Sequence, residues 1–289
     1  MIPKTILNVL EKKLGCSRIR ERDGSSKSPL SQCFAYDTDK GNFFVKVLPS
    51  ENIDAVAAES LALRLIDETK TVKVPKPFSY GYLEDQCFIV LEYFELREPD
   101  SAAMAALGEQ LAEMHLHAAP ERFGFEMDNT LGNSPQINGF ESDWVRFFGE
   151  KRIRFQLELV KKRYGDHEVL EKGERLLERL PRFFEGVELY PSLLHGDLWG
   201  GNRAVDSEGN PIIFDPASYY GHHEAELGIT TMFGGFSREF YDAYHTLIPK
   251  AEGFEERQRL YRLYHFLNHY NIFGEGYRGA CLEILAHFD

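Results

Sequence analysis

Residues 193–202 read LLHGDLWGGN. Two apolar residues run into a histidine, a glycine and Asp197, and Asn202 follows five positions after that aspartate. A second aspartate, Asp215, ends the apolar run PIIF thirteen positions beyond Asn202. The text between them, NRAVDSEGNPIIFDP, is apolar at both ends with the turn formers EGN in its middle, which reads as strand, turn, strand. One hairpin would then bring Asp197, Asn202 and Asp215 together.

Such a set suits phosphoryl transfer. One aspartate accepts the proton of an attacking hydroxyl, while an asparagine and another aspartate hold the magnesium ions that neutralise phosphate charge. The D-x-x-x-x-N spacing is that of a phosphotransfer catalytic loop.

Working outward, the residues before 95 read as a small sheet with helices. Ile6, Leu7, Leu10 and Leu14 recur at helical spacing before Gly15, predicting a short first helix. The apolar runs flanking DTDKGN predict two antiparallel strands, Asp54 to Glu68 a helix, and PKPFSYGYLEDQCFIVLEYF two more strands. Helical text then dominates: Ser101 to His117, Asp143 to Arg163, Glu168 to Leu180, Glu239 to Leu247 and Glu255 to Ile272. The fold class is α+β.

The 289 residues suggest one to two domains. A formal net charge of −13 disfavours a nucleic-acid partner, because neutralising phosphates takes a basic stripe. An anionic ligand would need a local cationic pocket or metal ions. No apolar run approaches twenty residues, and MIPKTILNVLEKKLG lacks the apolar core of a signal peptide, so no membrane partner is expected and the expected location is cytoplasmic. Cys16, Cys33, Cys87 and Cys281 are far apart with no C-x-x-C pair, so reduced thiols are expected rather than a zinc site.

HGDLWGGN and IIFDPA, with FFVKV upstream, resemble the protein-kinase-like small-molecule phosphotransferases, a group that includes the aminoglycoside and choline kinases. The whole chain is similar to the fructosamine-3-kinase and ketosamine-3-kinase family, through AYDTDKGNFFVKV, TVKVPKP, SLLHGDLWGGN, PIIFDPASYYGH, MFGGF, AYHTLIPKAEGF and LYHFLNHYNIFG. The resemblance implies a two-lobed protein-kinase-like fold: an antiparallel-sheet nucleotide-binding lobe with hinge over 1–94, and a larger, mainly helical lobe with catalytic loop and acceptor site over 95–289. It implies ATP and Mg2+ as cofactors, and phosphorylation of the 3-hydroxyl of a free or protein-bound ketosamine. In the family that step destabilises the adduct, which breaks down and frees the amine.

Carried over residue by residue, Asp197 matches the base, and Asn202 and Asp215 the metal ligands. Lys46 matches the strand lysine on the ATP phosphates, Glu59 the helix glutamate that pairs with it, and Glu92, Tyr93 and Phe94 the hinge whose backbone binds adenine. His195 is expected to brace the loop, and Glu226 either to brace it from below or to stand as an ordinary helix N-terminal acid. For the sugar-amine site the aromatic and acidic residues Trp144, Trp199, Tyr219 and Glu224 are candidates, with Trp199 equally readable as loop packing.

Departures from the kinase pattern point to a small acceptor. Gly196 replaces the arginine of H-R-D, Pro216-Ala217 replaces phenylalanine-glycine after the metal aspartate, and no A-P-E string follows. The phosphate-covering loop, Gly24-Ser25-Ser26-Lys27-Ser28-Pro29, is poor in glycine, with Cys33 beyond it as an inert residue or a redox-sensitive thiol. Two rival functions stay open: a kinase of another small alcohol, aminoglycoside or choline among them, and a nucleotide-binding pseudokinase scaffold.

Overall fold

The computed structural model describes residues 4–22, 26–27 and 31–289. Helix α1 (Lys4–Lys12) precedes strands β1 (Ile19–Glu21), β2 (Ser26–Lys27), β3 (Gln32–Thr38) and β4 (Gly41–Pro49). Helix α2 (Ile53–Thr69) then leads to β5 (Pro77–Leu83) and β6 (Gln86–Glu92). The sheet order is β1-β3-β4-β6-β5, with β2 on β3 and every pairing antiparallel.

Alternation along β4 sorts its side chains onto the two faces of this sheet. Phe43, Val45 and Val47 pack with Ile6, Val9 and Leu10 of α1 and with Phe88 and Val90 of β6. Phe44 and Leu48 join Cys87, Ile89 and Leu91 against Val56, Leu63 and Ile66 of α2. Covered on both faces, β6 is an almost unbroken apolar run rather than an alternating one. Lys46 lies on the α2 face of β4, between Phe44 and Leu48. Most of the glycine-poor segment lies outside the described residues; of it only Ser26–Lys27 is placed, opposite Cys33 and Gln32.

The rest is mainly helical. It comprises α3 (Ser101–Leu116), β7 (Asn129–Leu131), β8 (Ser134–Gln136), α4 (Trp144–Phe148), α5 (Phe155–Tyr164), α6 (His167–Arg179), β9 (Ser192–Leu194), β10 (Arg203–Val205), β11 (Pro211–Ile213), β12 (Tyr219–Gly221), α7 (Glu224–Thr230), α8 (Arg238–Leu247), α9 (Phe254–Phe273) and α10 (Arg278–His287). Asp100 caps α3 by accepting from the Ala103 amide at 2.9 Å, an interaction that stabilises a helix by about 1 kcal/mol. Helices α3 and α8 touch backbone to backbone. A Cβ on Gly108 would stand 2.1 Å from the Phe240 carbonyl oxygen, so glycine is what allows that approach. The long α9 runs through the core, burying Leu260, Tyr261, Leu263, Tyr264 and Leu267.

The single helix expected over 143–163 is broken by a π-helical turn, Gly149–Arg154. Arg152 in that turn is fully buried, and among the described residues no carboxylate pairs with it. Its guanidinium lies 4.2 Å from the Tyr219 ring centroid and donates to the Ile137 carbonyl and Asn138 Oδ1 at 2.7 Å each. Among the described residues no helix is long and apolar enough to cross a membrane.

Candidate active site

Two antiparallel strand pairs build the site. Strand β9 pairs with β12, and β10 with β11 in the register Arg203↔Ile213, Ala204↔Ile212 and Val205↔Pro211. The loop 195–202 leaves β9 and ends on β10, while 214–218 leaves β11 and ends on β12. Each loop is thus anchored at both ends, and the two lie side by side. The hairpin expected from NRAVDSEGNPIIFDP is present, and it does bring Asp197, Asn202 and Asp215 together.

Hydrogen bonds lock the two loops to each other. His195 Nε2 donates to the Phe214 carbonyl at 2.9 Å, while its Nδ1 accepts from the Asp197 amide at 3.3 Å. Both partners are backbone groups, so the ring is a neutral Nε2-H tautomer. Burial holds its pKa down despite the nearby Glu226 carboxylate. His195 is a brace, as expected. The Ala217 amide donates to the His195 carbonyl at 2.9 Å, and the Phe214 amide to that of Asn202 at 3.1 Å.

From below, Glu226 on α7 accepts from the amides of His195 and Gly196, the latter at 2.9 Å. Of its two readings, the structure selects the brace. Gly196 has φ +83°, and a Cβ there would stand 2.2 Å from the Ala217 carbonyl oxygen. An arginine is therefore excluded at this position by both backbone conformation and space.

The charges follow. Lys46 Nζ lies 2.8 Å from Glu59 Oε1 and 2.8 Å from Asp215 Oδ1. Burial would lower its pKa, but the two carboxylates outweigh that and keep it a cation. Asp215 carries the left-handed φ of +56°, which costs a residue other than glycine about 1 kcal/mol. Its carboxyl is held below the usual range because Lys46 outweighs the burial that would raise it. Asp197 is pushed well above that range by burial, then by Asp215 and Glu226, with only the Asn202 hydrogen bond opposing. Two neighbouring carboxylates with opposite shifts are the pattern of one proton acceptor beside one permanently ionised partner.

Asn202 Nδ2 donates to the Asp197 carbonyl at 2.8 Å and to Asp197 Oδ2 at 3.3 Å. Its nitrogen is thereby committed, which leaves the amide oxygen as the atom able to meet a cation. With Asp215 this makes a hard oxygen donor set of one carboxylate and one carbonyl, which suits magnesium, an ion that completes its octahedron with water and phosphate.

Three hollows meet at these residues. A slot of about 210 Å³ is lined by Phe44, Pro75, Leu91, Glu92, Tyr93, Phe94, Leu96, Phe214 and Asp215. A polar cleft of about 450 Å³ contains Lys46, Glu59, Asn129, Asp197 and Asp215. An aromatic pocket of about 320 Å³ is lined by Leu131, Gly132, Asp197, Trp199, Ile229, Phe233, Asn268, His269, Ile272, Phe273 and Tyr277. Asp215 is common to the first two and Asp197 to the last two.

Three of the four acceptor candidates are corrected by this geometry. Trp144 is buried and donates its indole N–H to the Tyr261 hydroxyl at 3.1 Å. Tyr219 is buried against Arg152, and Glu224 is buried in a bidentate pair with Arg257 at 2.7 and 2.8 Å. These are core residues whose polar atoms are satisfied internally. Trp199 alone faces the pocket, 41 % exposed, with Phe233 and Phe273 beside it at 44 % and 66 %. Phe233, His269 and Phe273 were missed as lining residues, although they stand in the quoted strings MFGGF and LYHFLNHYNIFG.

A small sheet lobe over a helical lobe, with a lysine–glutamate pair facing an aspartate–asparagine–aspartate set, defines the protein-kinase-like phosphotransferase fold. Solved aminoglycoside phosphotransferases share it. One, in ternary complex with AMP-PNP and hygromycin B, superposes with a TM-score of 0.67 at 14 % identity, covering 98 % of either chain. The fructosamine kinase family pattern matches residues 2–288, and the chain belongs to that family. It is 43 % identical to the ketosamine-3-kinase of Mus musculus, over 96 % of this chain and 98 % of the mouse one. It is 45 % identical to the chloroplastic protein-ribulosamine 3-kinase of Oryza sativa subsp. indica, over 89 % of this chain and 75 % of that one. A solved fructosamine-3-kinase candidate from Thermobifida fusca YX-ER1 matches with a TM-score of 0.84 and 28 % identity, covering 96 % of both chains.

Proposed function

We propose that this protein transfers the γ-phosphoryl group of ATP to the 3-hydroxyl of a ketosamine, in the cytoplasm, and so initiates removal of the sugar from the amine. The carrying observation is that Asp197 is shared between the polar cleft and the aromatic pocket. A base placed there reaches a hydroxyl on one side and a phosphate on the other.

The lobe division proposed is 1–94 and 95–289. Adenine would enter the slot at the hinge, Glu92 to Phe94. The amides of Glu92 and Tyr93 are engaged on the carbonyls of Lys76 and Asn42 at 2.9 and 3.1 Å, so the base would draw on the Phe94 amide. Lys46, oriented by Glu59, would meet the phosphates, and Asn202 and Asp215 would hold magnesium. The metal, bound with the nucleotide, supplies positive charge against the phosphate oxygens. Asp197, as the base, orients the acceptor hydroxyl and takes its proton as that oxygen bonds to phosphorus and ADP departs. The chain thus contributes positioning and fixed electrostatics. Trp199, Phe233, His269 and Phe273 would hold the sugar-amine, which is the small-molecule or protein-bound partner expected.

The test is magnesium-dependent ATP consumption with fructosamine, ribulosamine, aminoglycoside and choline acceptors. Turnover with a ketosamine alone supports the reading. Turnover only with another alcohol, or nucleotide binding with no turnover on any acceptor, overturns it in favour of one of the two rivals.

A further inference from the structure

Outside the three hollows at the site, α7, α8 and α9 line a further one of about 210 Å³. Leu227, Thr231, Tyr241 and Phe254 make its apolar part, and Lys250, Arg262, Gln258 and His245 its polar part, with Glu255 at the rim. Two of these polar groups lack partners. Arg262 makes no hydrogen bond or ion pair among the described residues, and its Nε is buried without a partner. In a chain of net charge −13, a guanidinium in a concavity with no carboxylate paired to it is free to meet an anion.

The second group is Gln258, a residue 6 % exposed. Its Nε2 donates to the Glu224 carbonyl at 2.8 Å, which fixes the amide orientation, and its Oε1 is buried with no donor. An orphaned buried acceptor costs stability until something donates to it. His245 adds another acceptor. Its Nδ1 donates to the Ile248 carbonyl at 3.0 Å, and burial keeps the ring neutral, so Nε2 is left with a lone pair. Lys250 is partly spent on Glu255, 2.8 Å away.

We infer that this hollow binds a small hydroxylated phosphate monoester, with the phosphate on Arg262 and Lys250 and the ligand hydroxyls against Gln258 and His245. The volume accommodates a phosphate and a few carbons. A phosphorylated sugar fragment, the chemistry of the reaction's own product, fits this class; that link, and only that link, rests on the proposed function. Leu227 flanks the hollow from α7, the helix whose Glu226 holds the loop after β9, and Thr231 caps that helix.

Calorimetric titration with glycerol 3-phosphate tests the site without requiring turnover. The phosphate cleft is a competing location, so the titration is run on the wild type, Lys46→Met, Arg262→Gln and Gln258→Leu, with inorganic phosphate as the anion lacking hydroxyls. Binding that survives Lys46→Met, weakens about tenfold or more in Arg262→Gln and several-fold in Gln258→Leu, and exceeds that of inorganic phosphate is the expected result. Binding lost in Lys46→Met but kept in Arg262→Gln would assign it to the cleft and overturn the inference. So would inorganic phosphate binding equally well, or no binding of glycerol 3-phosphate at millimolar concentration. Gln258→Leu removes no charge and carries the test if Arg262→Gln fails to fold.

Discussion

The two sides of Asp197 are built differently. Toward the polar cleft, the groups that build the site are each fixed by a further contact: Lys46 by Glu59 and Asp215, Asn202 by the Asp197 carbonyl, and the loop amides by Glu226. Toward the aromatic pocket, Trp199, Phe233 and Phe273 are about half exposed; Trp199 meets Phe233 edge to face with centroids 6.4 Å apart, and His269 is tilted against both Phe233 and Phe273 at 5.1 and 5.4 Å. Under the proposed function the contrast separates chemistry from selection. Phosphate geometry is the same for every acceptor and rewards rigidity, whereas an acceptor carried on a varied amine rewards apolar surface that tolerates different shapes.

Breaking the rigid side should have the larger effect. Glu226→Ala orphans the amides of His195 and Gly196, each at a cost of about 1–3 kcal/mol. The expected outcome is a loss of about 3 kcal/mol in urea unfolding together with a fall in kcat of about 100-fold, with Glu226→Gln milder in both. A variant that loses stability but keeps full kcat would show that the clamp is merely structural.

The tolerant side should respond less and more selectively. Phe273→Ala and Trp199→Ala each remove apolar contact worth about 1–2 kcal/mol, so the acceptor KM should rise about tenfold while the ATP KM stays unchanged. An ATP KM that moves in parallel would erase the distinction between the two sides.

The smallest effect is a displaced pH limb. The base proposed at Asp197 can act only when deprotonated, and its folded pKa is raised by burial, Asp215 and Glu226. Activity should therefore be lost, as pH falls, at a pH above the ordinary aspartate value of about 4. A kcat/KM profile flat down to that value would contradict the raised pKa.

Legibility in the sequence followed the same division. The rigid side was readable because its residues stand in one stretch of about twenty, with a hairpin whose turn chemistry is local. Lys46 was reached through the resemblance carried by FFVKV on an expected strand. The aromatic pocket draws on the loop after β9, the segment after α7 and the C-terminal part of α9, and no local pattern joins them. Trp144, Tyr219 and Glu224 were misplaced because an aromatic or an acid looks the same in sequence whether it lines a pocket or is satisfied in the core by Tyr261, Arg152 or Arg257. The break at Gly149–Arg154 also escaped, since a π-turn leaves helical periodicity nearly intact. The buried hairpin β7–β8 was too short to register.

Asp197→Asn, measured for turnover, nucleotide affinity and thermal stability on one preparation at neutral pH, tests the central claim most directly. A carboxylate with a raised folded pKa contributes most favourably at low pH and destabilises as pH rises through that pKa, so the neutral amide should raise Tm by a few degrees. The account predicts that rise together with a fall in kcat of about 1,000-fold or more and a nearly unchanged ATP affinity. Turnover within about tenfold of the wild type would contradict Asp197 as the base.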